Sequence, residues 1–475
     1  MSLTSYQTAP PRDFINFYII KTKLIKIIIK YYWLIEGNKC YFIIINSKLR
    51  VIKYLKNICF FFDLIKYLFY CITNINYMKL SLFFDANIAD GGSYHHCLKT
   101  IEIFKKIKID NLNISLIVTH KKKEFLNKKN LNILNYNIDI FDRLFFLLYS
   151  SNLFKILLKR FKIKNKFEKF LYKNKIDLVY FISNSRFSIF CNNINFCTYI
   201  YEIHHLFRPD LPEYKTWHDF DLRENVLINS IKKSSIIFVD TDKKKEDLVK
   251  YYNCYEEKIK VIPLISNLII DKKKNSKITN QKIRELSLKK RYFFYPAQYW
   301  AHKNHKYLID TVKILVQKHK FKDLFIFTGQ KKGNFAYLNN LVLKNNLSKY
   351  IKFFDYLTND DVINLYKNCE GLIMPTLIGN SCLPLYESFY YRTKVFYTKN
   401  LLDNSLKKFV TEFDINDPND LVKKIINCNN RKLNFKRNLA YNYVIKSLNE
   451  QSIEKKYKNI FEKYIYQTNI YNNLD

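Results

Sequence analysis

Four short stretches gather residue types that could do chemistry. In YPAQYWAHKNHKYL (295–308), Gln298, His302, Lys303, Asn304 and His305 crowd together. The strand-like RYFFY ends at Pro296 and an apolar helical period (Leu308, Val312, Leu315) follows, so Lys303 and Asn304 fall at a helix entry. An ammonium beside free backbone N–H groups suits a diphosphate. His302 and His305, at i and i+3, could share a helix face, but no third ligand accompanies them and a zinc site is not expected.

In GLIMPTLIGNSCLPLYESFYYRTKVFY, a strand runs into Pro375, and Gly379, Asn380 and Ser381 form an irregular loop. Pro384 then opens a helix carrying Glu387. A carboxylate there can accept from two vicinal hydroxyls, as a ribose offers, or be a favourable charge in the first turn. In FFDANIADGGSYHHCLKTIEIFKKI, Gly91 and Gly92 join a strand to a helix, a turn that can approach an anion. It is not GxGxxG, and the neighbours His95 and His96 point to different helix faces. YIYEIHHLFRPDLPEYKTWHDFDLREN sets Glu202, His204, His205, Arg208, Glu213 and Arg223 beyond another strand. Histidine there could orient a sugar hydroxyl or carry a proton at neutral pH. Asp240-Thr241-Asp242 resembles a DxD metal motif, but it ends a strand and begins a helix, so Thr241 or Asp242 is read as a cap.

The elements that must hold these residues alternate. Strand-like runs occur at Leu80–Phe84, Ile114–Val118, Leu178–Ile182, Phe196–Ile200, Ile236–Val239 and Lys260–Ile262, with helical stretches such as Ser93–Lys106 and Asp242–Tyr251 between. A polar linker, DKKKNSKITNQK, runs to about Lys290. The alternation resumes with strands at Tyr292–Tyr295, Leu324–Thr328, Ile351–Phe354, Gly371–Met374 and KVFY. Short apolar runs between helices predict parallel sheets with ligands at the carboxyl ends of the strands. The expected fold is therefore α/β, two Rossmann-like domains facing a cleft. Only seven glycines occur, and Gly91, Gly92, Gly329 and Gly379 fall at strand-to-helix turns on the expected ligand face. The domains are read as 78–265 and 266–440, with helices from 441 to 475 packing back across both. Residues 1–77 lack this rhythm and are read as an over-extended frame or a membrane-surface arm.

The balance of 80 Lys+Arg against 42 Asp+Glu gives +38, but the lysines are spread evenly, so no nucleic-acid partner is expected. Ten cysteines without a CxxC pair indicate reduced thiols. No apolar stretch free of charge reaches the roughly 18 residues of a spanning helix, and no secretory cleavage site is evident. A cytoplasmic, soluble or peripheral protein is expected.

From about Met78 to Tyr466 the chain resembles retaining glycosyltransferases of the GT-B fold, family 4 (glycosyltransferase group 1). YPAQYWAHKNH and MPTLIGNSCLPLYESF resemble its two donor-binding signatures, in order and about 80 residues apart. The resemblance implies transfer of a sugar from a nucleotide-sugar to a saccharide or lipid-linked saccharide, in surface polysaccharide or glycoconjugate synthesis. No metal would be required, and an anionic membrane surface is a possible partner. Lys303 would contact the donor diphosphate, Glu387 the ribose, Gly91 and Gly92 the phosphates, and the His204–His205 segment the transferred sugar. The chain departs from the pattern in three places. Gln298 stands where an Arg is commoner, Gly379 replaces the first Glu of the E-x7-E motif, and Tyr201 precedes the acid Glu202 where many members carry His. The alternatives are another GT-B reaction such as nucleotide-sugar epimerisation, a degenerate transferase serving as a partner subunit, or a basic nucleic-acid-binding protein.

Overall fold

A computed structural model describes residues 77–87, 91–119, 131–148, 165–215, 217–266, 268–269, 279–281, 283–285, 290–379, 382–428 and 431–472. The reading of residues 1–77 as an arm or extension falls almost wholly outside them. The described elements belong to one compact unit, Asn76–Asp475.

The first half begins with β1 (Met78–Phe84), α1 (Gly92–Lys106), β2 (Leu112–Thr119), β3 (Asn132–Tyr136), α2 (Ile140–Leu148) and α3 (Lys166–Lys173). It continues with β4 (Leu178–Phe181), β5 (Asn195–Tyr199), α4 (Trp217–Lys233), β6 (Ile236–Val239), α5 (Asp242–Tyr252) and β7 (Ile259–Val261). The second half runs β8 (Tyr292–Pro296), α6 (His305–His319), β9 (Leu324–Thr328), α7 (Phe335–Lys344), β10 (Ile351–Phe354) and α8 (Asn359–Asn368). Then come β11 (Gly371–Met374), α9 (Leu383–Tyr390), β12 (Val395–Thr398), α10 (Asn404–Lys407), β13 (Thr411–Phe413) and α11 (Pro418–Ile426). Two longer helices, α12 (Arg431–Ser447) and α13 (Glu450–Asn472), close the chain.

The strands form a seven-stranded sheet, β3-β2-β1-β4-β5-β6-β7, and a six-stranded one, β10-β9-β8-β11-β12-β13. Every pairing is parallel. Helices cover both faces, which is why β4, β6, β9, β11 and β12 are buried at every position. In both sheets the order reverses at the first strand, between β1 and β4 and between β8 and β11. Loops leaving such a pair diverge and open a crevice at the strand carboxyl ends. The turn at Gly91 leaves that end of β1, and the stretches 297–304 and 375–382 leave those of β8 and β11.

Two strands carry no clear sequence signal. β3 is half exposed (Asn132, Asn135) and β13 is only Thr411–Phe413. The final helical stretch is divided in two where the Asn449 side chain accepts from the Ser452 N–H at 2.7 Å and caps a new start. α12 packs on α9 of the second half, whereas α13 returns to the first. Tyr457 and Phe461 stack on Phe104, Tyr180 and Phe238, and the Tyr457 and Tyr180 hydroxyls lie 3.1 Å apart.

Candidate active site

Lys303 ends a single 3-10 turn, Ala301–Lys303, and Asn304 turns the chain into α6 with φ 52°, a left-handed conformation that Asn tolerates. The turn is anchored on several sides. The Tyr295 hydroxyl donates to the Lys303 carbonyl at 3.0 Å, and Leu377 N–H donates to the His302 carbonyl at 2.8 Å. Burial depresses the Lys303 pKa, with the carboxylates of Glu202 and Glu213 acting the other way. Its ammonium makes no hydrogen bond or ion pair among the described residues. A half-buried cation with no protein partner among the described residues is a candidate centre for an anion that arrives from outside.

The Gly91–Gly92 turn lies opposite. Gly91 has φ +59°, a conformation costly for most residues, and a Cβ there would sit 3.6 Å from the Gln298 amide nitrogen. A Cβ on Gly92 would lie 3.5 Å from Leu383 Cδ1, at the start of α9. The glycines of the first sheet thus face both crevice loops of the second. Gln298 Oε1 accepts from the Trp300 indole at 2.6 Å, which fixes its amide toward Gly91. Gly329 lets the loop after β9 close against that after β8, since a Cβ there would stand 2.6 Å from the Ala297 carbonyl oxygen.

The two histidines beyond β5 part company. His205 is buried, with Nε2 2.6 Å from Glu224 Oε1 and its ring against Phe220 and Tyr214. Through Glu224 it anchors α4. His204 keeps partial exposure and sets Nδ1 3.2 Å from Glu202 Oε2. Glu202 also accepts from the His204 N–H at 2.8 Å, Tyr214 at 3.3 Å and Arg223 at 3.3 Å. Burial opposes its ionisation, but these partners prevail and hold its carboxyl at about 2.

Glu387 is also held by neighbouring side chains. It is buried, Oε1 accepts from Ser266 and Oε2 accepts from the Tyr366 hydroxyl at 2.7 Å. Burial raises its pKa, with the two hydrogen bonds acting the other way. Ser266 belongs to the connection between the two sheets, so Glu387 pins that connection. Gly379, φ +108°, accepts from Tyr397 at 3.2 Å through its carbonyl, while Asn380 and Ser381 lie outside the described residues.

Three positioning groups carried no sequence signal of their role. Glu213 reaches from the first half to His302 of the second. His96 accepts the Ile265 N–H on Nδ1 at 3.3 Å, and burial takes its pKa down to about 4. Ser266 anchors Glu387. All three pair with residues far away in the chain, which local periodicity does not encode. His305 is a core residue, enclosed by Tyr295, Tyr299 and Phe327. Thr241 caps α5, accepting from Lys244 N–H at 3.3 Å, the cap read from the sequence, and Asp240 pairs with Lys244 at 2.5 Å. No three His, Cys, Asp or Glu side chains among the described residues are placed to hold a metal.

No curated protein sequence matches the chain. Several solved structures share its fold. A glycosyltransferase from Rickettsia africae superposes with TM-score 0.58 at 17% identity, covering 82% of this chain and 99% of its own. Anabaena HepE, in complex with UDP and glucose, gives 0.57 at 13%, covering 81% and 99%. Sucrose-phosphate synthase from Thermosynechococcus elongatus gives 0.61 at 10%, covering 82% and 100%. The family model for glycosyl transferases group 1 matches residues 276–442, the span holding Gln298, Lys303 and Glu387. The chain has the fold of GT-B glycosyltransferases, and its residues 276–442 match the family of glycosyl transferases group 1.

Proposed function

We propose that the chain is a retaining glycosyltransferase of family 4 that moves a sugar from a nucleotide-sugar to a hydroxyl of a saccharide or lipid-linked saccharide, in surface polysaccharide or glycoconjugate synthesis. The observation that carries this is the Lys303 ammonium, without a partner among the described residues, on the crevice loop whose Gln298 faces the Gly91–Gly92 turn. In the reaction the bond between the anomeric carbon and the diphosphate oxygen breaks. A new bond to the acceptor oxygen forms on the same face, and the acceptor proton passes to the leaving phosphate. Negative charge grows on the diphosphate, and a preorganised cation with backbone N–H groups stabilises it without reorganising. No metal is needed in this scheme, since Lys303 supplies the charge. His204, oriented by Glu202, faces the transferred sugar.

HepE binds UDP and glucose and a Staphylococcus aureus relative, TarM, binds UDP with a saccharide, which supports a nucleotide-sugar and a saccharide as the pair of substrates here. The basic excess supports work at an anionic membrane surface. So does α2, on which Ile140, Phe141, Leu144 and Leu148 are exposed. Among the described residues no helix is long and apolar enough to cross a membrane. The test is incubation of the chain with radiolabelled nucleotide-sugars and a panel of saccharide and lipid-linked acceptors. Label joined to an acceptor with the donor's anomeric configuration supports the proposal. Label converted within the donor and never transferred refutes it in favour of an epimerase.

A further inference from the structure

Leu211, Tyr214 and Ile378 form a small apolar cluster with Ala301 and Leu377, joining the loop beyond β5 to both crevice loops of the second domain. Glu213 stands inside this contact. Its Oε1 accepts from His302 N–H at 3.2 Å and lies 3.0 Å from His302 Nδ1. No other carboxylate of the first domain is bonded to the turn that carries Lys303, among the described residues. We propose that Glu213 is a positioning residue for transfer: when the domains close it seats on His302, fixes the Lys303 turn and keeps the Lys303 ammonium charged in a desolvated place. This rests on reading Lys303 as the diphosphate contact.

The geometry favours this over simple packing. Glu213 meets the turn one residue before Lys303, through the backbone as well as the imidazole, so its loss loosens the main chain that aims the ammonium. The groups acting electrostatically on Lys303 are Glu202 and Glu213 from the first domain, and Cys382, His302 and His305 from the second. Burial depresses both histidines, so they add no cation near neutral pH. Glu213 stays ionised there, because the His302 contacts outweigh its own burial and hold it at about 2. Its charge is therefore present through the whole range in which Lys303 titrates. An opposite charge a few ångströms away favours the ammonium, and removing it lowers the pH at which the proton leaves.

The experiment titrates UDP, GDP and ADP into the full chain from pH 6 to 10, by calorimetry, and follows whichever binds tightest. Glu213→Gln keeps the shape and an acceptor for the His302 N–H but drops the charge. Its alkaline limb of binding should move down by about one pH unit. Glu213→Ala should show the same shift and also bind about tenfold more weakly at pH 7, the effect of one charge-assisted hydrogen bond. Lys303→Met should abolish the limb. Weaker binding with an unmoved limb would make Glu213 a packing residue and overturn the proposal. So would unchanged binding in both variants, or a limb that persists without Lys303. If none of the three nucleotides binds the wild-type chain, the donor-site reading itself fails and takes this proposal with it.

Discussion

The Ser266 hydroxyl donates to Glu387 Oε1, so the chain segment joining the two domains is fastened to the carboxylate at the heart of the second crevice. The Tyr366 hydroxyl holds the other oxygen. Tyr391 donates to the Leu268 carbonyl a little further on, and Ser266 itself caps the Leu268 N–H at 3.0 Å. From the first domain, His96 receives the neighbouring Ile265 N–H. The hinge is thus gripped from both domains by buried polar groups, and Glu387 is part of the grip.

This changes what Glu387→Ala should do. Removing the carboxylate strands two buried hydroxyls, each costing about 1–3 kcal/mol when left without a partner. We expect a loss of about 2–4 kcal/mol in urea unfolding, with transfer falling as well. Glu387→Gln retains an acceptor and should recover much of the stability. Wild-type stability in the alanine variant would mean that Ser266 and Tyr366 find other partners and that the grip is unimportant.

Lys303 should behave oppositely. Its ammonium has no partner among the described residues and burial disfavours its charge, so an unbranched apolar replacement removes a cost rather than a contact. Lys303→Met is predicted to unfold at or above the wild-type midpoint while turnover falls about 10²–10³-fold, the usual effect of deleting one electrostatic partner of the transition state. Thermal melting and a donor-turnover assay decide it together. A destabilised but active variant would show that Lys303 serves packing.

The paired histidines separate in the same way. His205→Ala leaves the Glu224 carboxylate with one bond fewer in the interior and opens a cavity beside Phe220 and Tyr214. A loss of about 2–3 kcal/mol is expected. His204→Ala should leave the unfolding curve nearly unchanged and lower kcat, since its ring is partly exposed beside Glu202. The reverse assignment, with His205 controlling kcat in a fully stable protein, would overturn the placement of the two rings.

Much of the scaffold was legible because parallel strands buried on both faces must be short apolar runs. Leu324–Thr328, Ile351–Phe354 and Gly371–Met374 fall at the very residues expected. Lys303 was legible for a local reason, being a polar cluster at a strand-to-helix turn. β3 was not, because an edge strand with Asn132 and Asn135 turned outward lacks the apolar signal. Glu387 was legible as a carboxylate in the first turn of a helix beside a crevice loop but not as the partner of Ser266, 121 positions away. Nor did spacing distinguish His204 from His205; as neighbours on one 3-10 turn they point about 120° apart, one to Glu202 and the other to Glu224. Pairings across the cleft depend on how the domains dock, and no window of sequence contains them.

His305 gives the chain a pH dependence that this interior dictates. Burial lowers its pKa from 6.5 to about 3, and the ring sits among Tyr295, Tyr299 and Phe327. The folded state keeps it neutral, whereas the unfolded chain takes up a proton once the pH drops below about 6.5. The stability tied to this group is therefore present in full above pH 6.5 and is lost as the pH falls toward 3. Down to pH 5 the loss amounts to about 2 kcal/mol for one such ring. His96, lowered to about 4, adds a second contribution of the same sign. Urea unfolding at pH 7.5 and pH 5 should thus show a marked drop for the wild-type chain and a smaller one for His305→Phe. An identical drop in the variant would place the acid sensitivity elsewhere, on His96 and the hinge it holds.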